Sequence, residues 1–169
     1  MQLAHCPKCL VLGTHAGVTS TLNAALVATG QGRAALLALR FDGSVAGGAN
    51  VLYGTSFPNP LGGQLACDSS ARCIVVAKQK DGTAIASVYQ VSAAGGWTDV
   101  SGPAGIVSAT AKALTLPVGD GLGVAVQDQA DGSVVWVVYG WDGEGYSGKG
   151  CTAAEMPEAN ALSMDSCLS

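Results

Sequence analysis

Cys6-Pro7-Lys8-Cys9, with His5 beside it and His15 shortly after, is the stretch of this chain best suited by residue type to chemistry. Two cysteines two residues apart can turn both sulfurs toward one ion, and two imidazoles would complete a zinc site. The same spacing suits a thiol pair that cycles between dithiol and disulfide. Two features weigh against these readings. Zinc sites of this type use a second close cysteine pair, and the other cysteines, Cys67/Cys73 and Cys151/Cys167, stand farther apart. A redox thiol normally takes its low pKa from the N-terminus of a following helix, whereas Leu10–Thr14 reads as a strand. The favoured reading of Cys6 and Cys9 is a structural disulfide. Metal or redox chemistry, with His5 and His15 as the remaining metal ligands, is the alternative.

Other constellations fall short in identifiable ways. Gly143-Glu144-Gly145-Tyr146-Ser147-Gly148-Lys149-Gly150 nearly spells a phosphate-binding loop, in which backbone N–H groups and the lysine cradle phosphate. Gly150 stands where a magnesium-binding hydroxyl belongs, so a glycine-rich loop between strands is expected. Asp142 and Glu144 lack the oxygen-rich spacing of a calcium loop. There are two histidines and no Gly-x-Ser-x-Gly elbow, which disfavours a Ser-His-Asp hydrolase. Asp42, Asp81 and Asp131 are accounted for by turns, and no pair of acids suited to glycoside chemistry is legible. Trp97, Trp141 and Tyr146 either pack between sheets or form an aromatic face for a protein or a sugar. No cofactor is expected, and the chain reads as a non-enzyme.

The elements that carry these residues follow from composition and turn chemistry. With 49% apolar and 12% charged residues the chain is not intrinsically disordered, and 24 glycines in 169 residues favour turn-rich β structure. Eight Lys and Arg and a formal charge of −4 supply no basic patch, so nucleic acid is not an expected partner. No apolar run reaches the roughly 18 residues of a membrane span. Six cysteines in the local pairs Cys6/Cys9, Cys67/Cys73 and Cys151/Cys167 read as disulfides closing short loops, which places the protein outside the cytosol, extracellular or in the cell envelope. Met1 opens no charged-then-apolar leader, so a signal or anchor is expected to lie outside this sequence.

Leu65–Trp97 shows the organisation most clearly. It contains Cys67 and Cys73, an apolar run Ile74–Ala77, the turn Asp81-Gly82, a second apolar run ending at Tyr89, and Trp97. Asp-Gly between apolar runs predicts a hairpin whose central residues both take positive φ. Asp42-Gly43-Ser44 and Asp131-Gly132-Ser133 repeat the turn. Gly30-Gln31-Gly32 and Gly119-Asp120-Gly121 precede them at a matching offset, and Val45–Tyr53, Ala84–Tyr89 and Val134–Tyr139 follow. The pattern predicts an all-β chain of antiparallel four-stranded meanders, each of roughly 40 to 50 residues. Continuous runs such as Ile74–Ala77 and Val134–Val138 suit strands covered on both faces. The competing reading is a helix over Thr21–Arg40, which Gly30 and Gly32 disfavour by about 1 kcal/mol each.

Leu3–Gly17 matches the start of the Leu65 stretch, with Cys9-Leu10-Val11-Leu12 against Cys73-Ile74-Val75-Val76. This arrangement of a small apolar residue, a Cys-bounded turn, three apolar residues, a Gly turn, an apolar strand and a Trp strand resembles the Cys-bounded β-propeller repeats of secreted actinobacterial proteins. The resemblance is closest over Leu65–Trp97. It implies a disulfide-stapled, β-propeller-like domain of three to four blades. The copies are placed at 3–23 (partial), 24–60, 63–103 and 107–148, with 149–169 as a tail tied by Cys151 and Cys167 and holding at most one helical turn. Three blades and a part imply either a small closed ring or pairing with a second copy. The expected function is therefore an exported binding or structural module that associates with a protein partner or with itself. A carbohydrate-binding domain is a further alternative.

Overall fold

The computed structural model describes residues 9–29, 33–51, 65–78, 83–101, 105–108, 113–118, 121–130, 132–147, 152–153 and 155. Strands β1 (Leu10–His15), β2 (Leu22–Thr29), β3 (Arg33–Arg40) and β4 (Val45–Val51) form a first sheet in chain order. A second sheet contains β5 (Leu65–Cys67), β6 (Arg72–Lys78), β7 (Ala84–Val91) and β8 (Trp97–Asp99), with β9 (Ile106–Ser108) also paired to β7. In the third, β10 (Ala113–Val118), β11 (Gly121–Ala130), β12 (Ser133–Trp141) and β13 (Tyr146–Ser147) run in order, and β14 (Thr152–Ala153) pairs with β12. Every pairing is antiparallel. The chain is thus an all-β protein built on antiparallel meanders, and the described residues include no helix long and apolar enough to cross a membrane.

The Ala/Leu-rich segment that could have been helical is the hairpin β2–β3, paired from Leu22↔Arg40 to Thr29↔Arg33. Its alternation explains the choice. Leu22, Ala24, Leu26, Ala34, Leu36 and Ala38 face one core, while Ala25, Val27, Ala35, Leu37 and Leu39 face the opposite side. A period of two sorts every second residue to one face, which a helix could not do with the same sequence.

The second sheet is the shared partner. Cys73, Val75, Tyr89 and Val91 join the first sheet in one core, and Ile74, Val76, Ala84, Ala86 and Val88 join Ala113, Leu122, Val124 and Val126 of the third sheet in another. Neighbouring residues of β6 therefore point into different cores, and the run Ile74–Ala77 is apolar throughout for that reason. Each fully buried Ile or Val contributes about 1.5 to 3 kcal/mol through removal from water.

The second and third sheets share a feature invisible in the turn pattern: the fourth strand is divided. β8 pairs with Tyr89–Val91 and β9 with Ala84–Ala86 of the same strand β7; likewise β13 pairs with Gly140–Trp141 and β14 with Trp136–Val137 of β12. Between β8 and β9 the backbone of Val88 would lack a strand partner. Ser101 and Val100 fill that place: Ser101 Oγ accepts from Val88 N at 3.0 Å and donates to Asp99 Oδ1, and Val100 N donates to Val88 O at 2.9 Å. Gly105 begins β9 with φ of 57°, where an added Cβ would lie 2.5 Å from Ala86 O.

Several expectations about the repeats are corrected. The boundary between residues 23 and 24 falls inside β2, because β1 belongs to the first sheet and is not a separate partial copy. Strands β9 and β14 lie beyond the expected copy ends at 103 and 148, yet they complete those copies' sheets. The Asp-Gly turns also occupy two different places. Asp81 and Asp131 stand between the second and third strands of their sheets, whereas Asp42 stands between the third and fourth. The physical reason is that Asp-Gly answers the demands of any tight hairpin, so it marks hairpins and not their position in a repeat. Asp81 and Asp131 themselves, and the segments 30–32 and 119–120, lie outside the described residues.

Candidate functional site

The β3–β4 turn is a three-residue loop. Arg40 N donates to Ser44 O and Gly43 N to Arg40 O, both at 2.9 Å, and Gly43 has φ of 84°. Asp42 does not take positive φ, contrary to the two-residue geometry expected for Asp-Gly. The extra residue turns the hairpin through a type I turn followed by one left-handed glycine, so only the glycine needs that region. Asp42 Oδ1 instead accepts from Ser44 N at 2.8 Å. The Ser44 side chain, then its backbone amide, and the nearby Arg40 guanidinium hold the Asp42 carboxyl below the usual range.

The β7–β8 turn faces it from the second sheet. Ser92 N donates to Gly96 O at 2.8 Å, Gly95 N to Ser92 O at 2.9 Å, and Gly96 N to Ser92 Oγ at 3.1 Å. The strand β4 and this turn meet through glycine. A Cβ on Gly47 of β4 would lie 2.3 Å from Gly95 O, and a Cβ on Gly95 would lie 2.8 Å from Ala46 Cβ. This contact fixes the spacing of the first and second sheets at their outer rim.

Above it the apolar face of the first sheet runs out into a cleft of about 380 Å³, lined by Thr21, Leu22, Arg40, Phe41, Asp42, Ala46, Ala93 and Ala94. Leu22 is buried, while the Phe41 ring on the turn is 66% exposed. Arg40 Nη1 donates to Ser44 Oγ at 3.3 Å and to Val45 O at 3.2 Å, which holds the guanidinium over its own turn. The cleft thus offers one bare aromatic face, one donor-only cation and one acceptor-only anion from the β3–β4 turn, with the Thr21 hydroxyl from the β1–β2 connection beside them.

Of the two readings given for the aromatic residues, the structure shows the packing between sheets. Trp97 packs against the core of the first and second sheets, and Trp141 and Tyr146 against that of the second and third, so the three do not share one face. Trp141 and Tyr146 do meet, ring centroids 5.2 Å apart and planes at 85°, the edge-to-face geometry favoured by aromatic quadrupoles. Trp97 Nε1, Trp141 Nε1 and Tyr146 Oη are buried without a hydrogen-bond partner among the described residues, and burial raises the Tyr146 phenol well above its ordinary range.

Cys67 and Cys73 stand opposite each other on β5 and β6 and are disulfide-bonded. Inside the loop that they close, Asp68 is buried; its Oδ1 accepts from Ser70 N at 2.9 Å and Arg72 N at 3.0 Å, and its Oδ2 pairs with Arg72 Nε at 2.8 Å. Arg72 Nη1 continues to Gly143 O at 3.2 Å, tying the second sheet to the β12–β13 turn of the third.

Cys9 is also disulfide-bonded, and the strand β1 follows it directly, so no helix N-terminus acts on its sulfur. His15 ends β1 opposite Ala24. His5, Cys6, Cys151 and Cys167 lie outside the described residues. Among the described residues no group of three or more His, Cys, Asp or Glu is placed to hold a metal ion. In the glycine-rich segment, Tyr146 and Ser147 form β13 against Trp141 and Gly140, and the preceding turn is closed by Asp142 Oδ1 accepting from Glu144 N and Gly145 N.

Sequence reading missed the cleft itself. A signal was present: Arg40-Phe41-Asp42-Gly43 puts one of only two phenylalanines into a hairpin loop, where no core can receive it. No protein-family model, no curated protein and no solved structure matches this chain.

Proposed function

We propose that this protein is an exported, non-catalytic recognition module whose sheets act as β-propeller-like blades and whose outer rim of turns meets its partner. The single observation that carries the reading is the close contact of Gly47 in β4 with Gly95 in the β7–β8 turn, next to an exposed Phe41 and a cleft. Large exposed aromatic rings on rigid turns are suited to recognition, since little conformational entropy is lost when they are covered. Export is supported by the Cys67–Cys73 bridge and the oxidised Cys9, because such bonds persist in oxidising compartments.

The reading has two tests. Thiol titration of the native protein without reductant should find Cys9, Cys67 and Cys73 unreactive; free thiols at these positions would remove the argument for export. Light scattering across a hundredfold range of protein concentration, on wild type and on Phe41→Ser, tests self-association. A dimer that weakens in Phe41→Ser supports the rim as the interface, and a dimer indifferent to position 41 assigns association to another surface.

A further inference from the structure

We propose that the Phe41 cleft binds a neutral pyranoside, one sugar ring laid against the phenylalanine face with its hydroxyls between Arg40, Asp42 and Thr21. This rests on the reading of the rim as a recognition surface and names the ligand of that surface. Four observations carry it. The Phe41 ring is 66% exposed although it belongs to a turn fixed by three hydrogen bonds, so its face is bare on a rigid support. The C–H face of a pyranose complements the electron-rich face of an aromatic ring. The cleft beside the ring, about 380 Å³, is at the small end of ligand sites, and the short side chains of Ala93 and Ala94 line it beside Phe41, a size suited to a single ring.

The fourth observation is the charge pattern. Arg40 supplies only donors and Asp42 only acceptors, both exposed at the same mouth. An anionic ligand would gain from Arg40 and be opposed by Asp42, and a cationic one the reverse. A neutral polyol can use both, because each hydroxyl donates and accepts. The guanidinium is already oriented by Ser44 Oγ and Val45 O through Nη1, and its other N–H groups are not engaged among the described residues. Asp42 is oriented in turn by Ser44 N. The Gly47–Gly95 contact sets the distance between the two walls before any ligand arrives, which is the preorganisation a small ligand needs.

The experiment is a titration of the ¹⁵N-labelled full chain with methyl β-D-glucopyranoside, methyl α-D-mannopyranoside, methyl β-D-galactopyranoside and N-acetylglucosamine, followed by amide shifts. Methyl phosphate and methylammonium serve as charged probes. The expected result is saturable shifts at Arg40, Phe41, Ala93 and Ala94 with at least one pyranoside, weakened about tenfold in Phe41→Ala and reduced in Arg40→Gln. Both positions are exposed, and unchanged shifts at the buried core residues Ile74 and Val124 show that each variant is folded. No saturable shift with any pyranoside overturns the proposal, as does pyranoside binding that moves Trp97 or Trp141 and is indifferent to position 41. Saturation by methyl phosphate or methylammonium alone overturns it by making the cleft an ion site. In these cases a Phe41-dependent dimer would still leave the rim as a recognition surface, so the two readings fail separately.

Discussion

Gly47 and Gly95 touch backbone to backbone across the junction of the first and second sheets, so closely that neither position has room for a methyl group. The contact needs glycine for two reasons that can be separated. Gly95 has φ of 94° and a crowded Cβ position, whereas Gly43 has φ of 84° and open space around it. Gly47→Ala is expected to cost about 1 to 3 kcal/mol through overpacking, and Gly95→Ala about 1 to 2 kcal/mol more through backbone strain. Gly43→Ala should cost only the backbone part, about 1 kcal/mol. Urea unfolding of the three variants checks this, and equal losses at positions 43 and 47 would contradict the close approach.

The Cys67–Cys73 bridge closes a short loop, so its chain-entropy contribution is modest. Replacing both residues by alanine should lower stability by about 2 to 4 kcal/mol, the upper end including lost packing of the fully buried Cys73. Denaturation with and without reductant measures it, and a variant insensitive to the loss would mean that the Asp68 turn alone holds the loop.

Asp68→Ala leaves two backbone amides and the Arg72 side chain without their shared acceptor. A loss of about 2 to 4 kcal/mol is expected. Asp68→Asn should lose less, because a side-chain carbonyl still accepts from Ser70 N and Arg72 N. The ordering of the two variants in thermal unfolding is the readout.

Tyr146 should govern part of the alkaline stability. Its phenol is raised above the ordinary tyrosine value of about 10 by burial, so the folded state binds the proton more tightly than the unfolded chain. The contribution is fully present below pH about 10 and is lost as pH rises beyond it. Tyr146→Phe should flatten that limb and change stability by less than about 0.5 kcal/mol at pH 7, since the hydroxyl has no partner to lose among the described residues. Unfolding midpoints from pH 8 to 11 for both proteins decide the matter.

Asp42 acts at the opposite end of the scale. Its carboxyl is held below the ordinary aspartate value of about 3.9, first by the Ser44 side chain, so the stabilisation is present above that pH and disappears as pH falls through the lowered folded value. Asp42→Asn should make the unfolding midpoint less dependent on pH between about 5 and 2. Being fully exposed, the carboxylate should also lose part of its effect in high salt.

The meander was legible because its causes are local. The glycines between Leu22–Thr29 and Arg33–Arg40, the apolar run Ile74–Ala77 and the Asp-Gly turns each favour a strand or a hairpin without reference to distant residues. The Cys67–Cys73 pair was legible for the same reason. What lay beyond reach depended on how one sheet meets the next. Nothing near Gly47 in sequence announces Gly95, and nothing near Val88 announces that Ser101 would stand in for a strand. The sequence left open whether Trp97 and Trp141 pack between sheets or share one exposed face, because their common place after an apolar strand says nothing about which core receives the ring.

The interrupted outer borders have a consequence for life at high concentration. An unbroken outermost strand would expose a row of amides and carbonyls able to template fibre growth between molecules. Here the first sheet carries a bulge at Ala46, and the second and third are split into β8/β9 and β13/β14. Each border is too short or too bent to zip with another, so the same irregularities that hide the repeat guard the molecule against polymerising with its own kind.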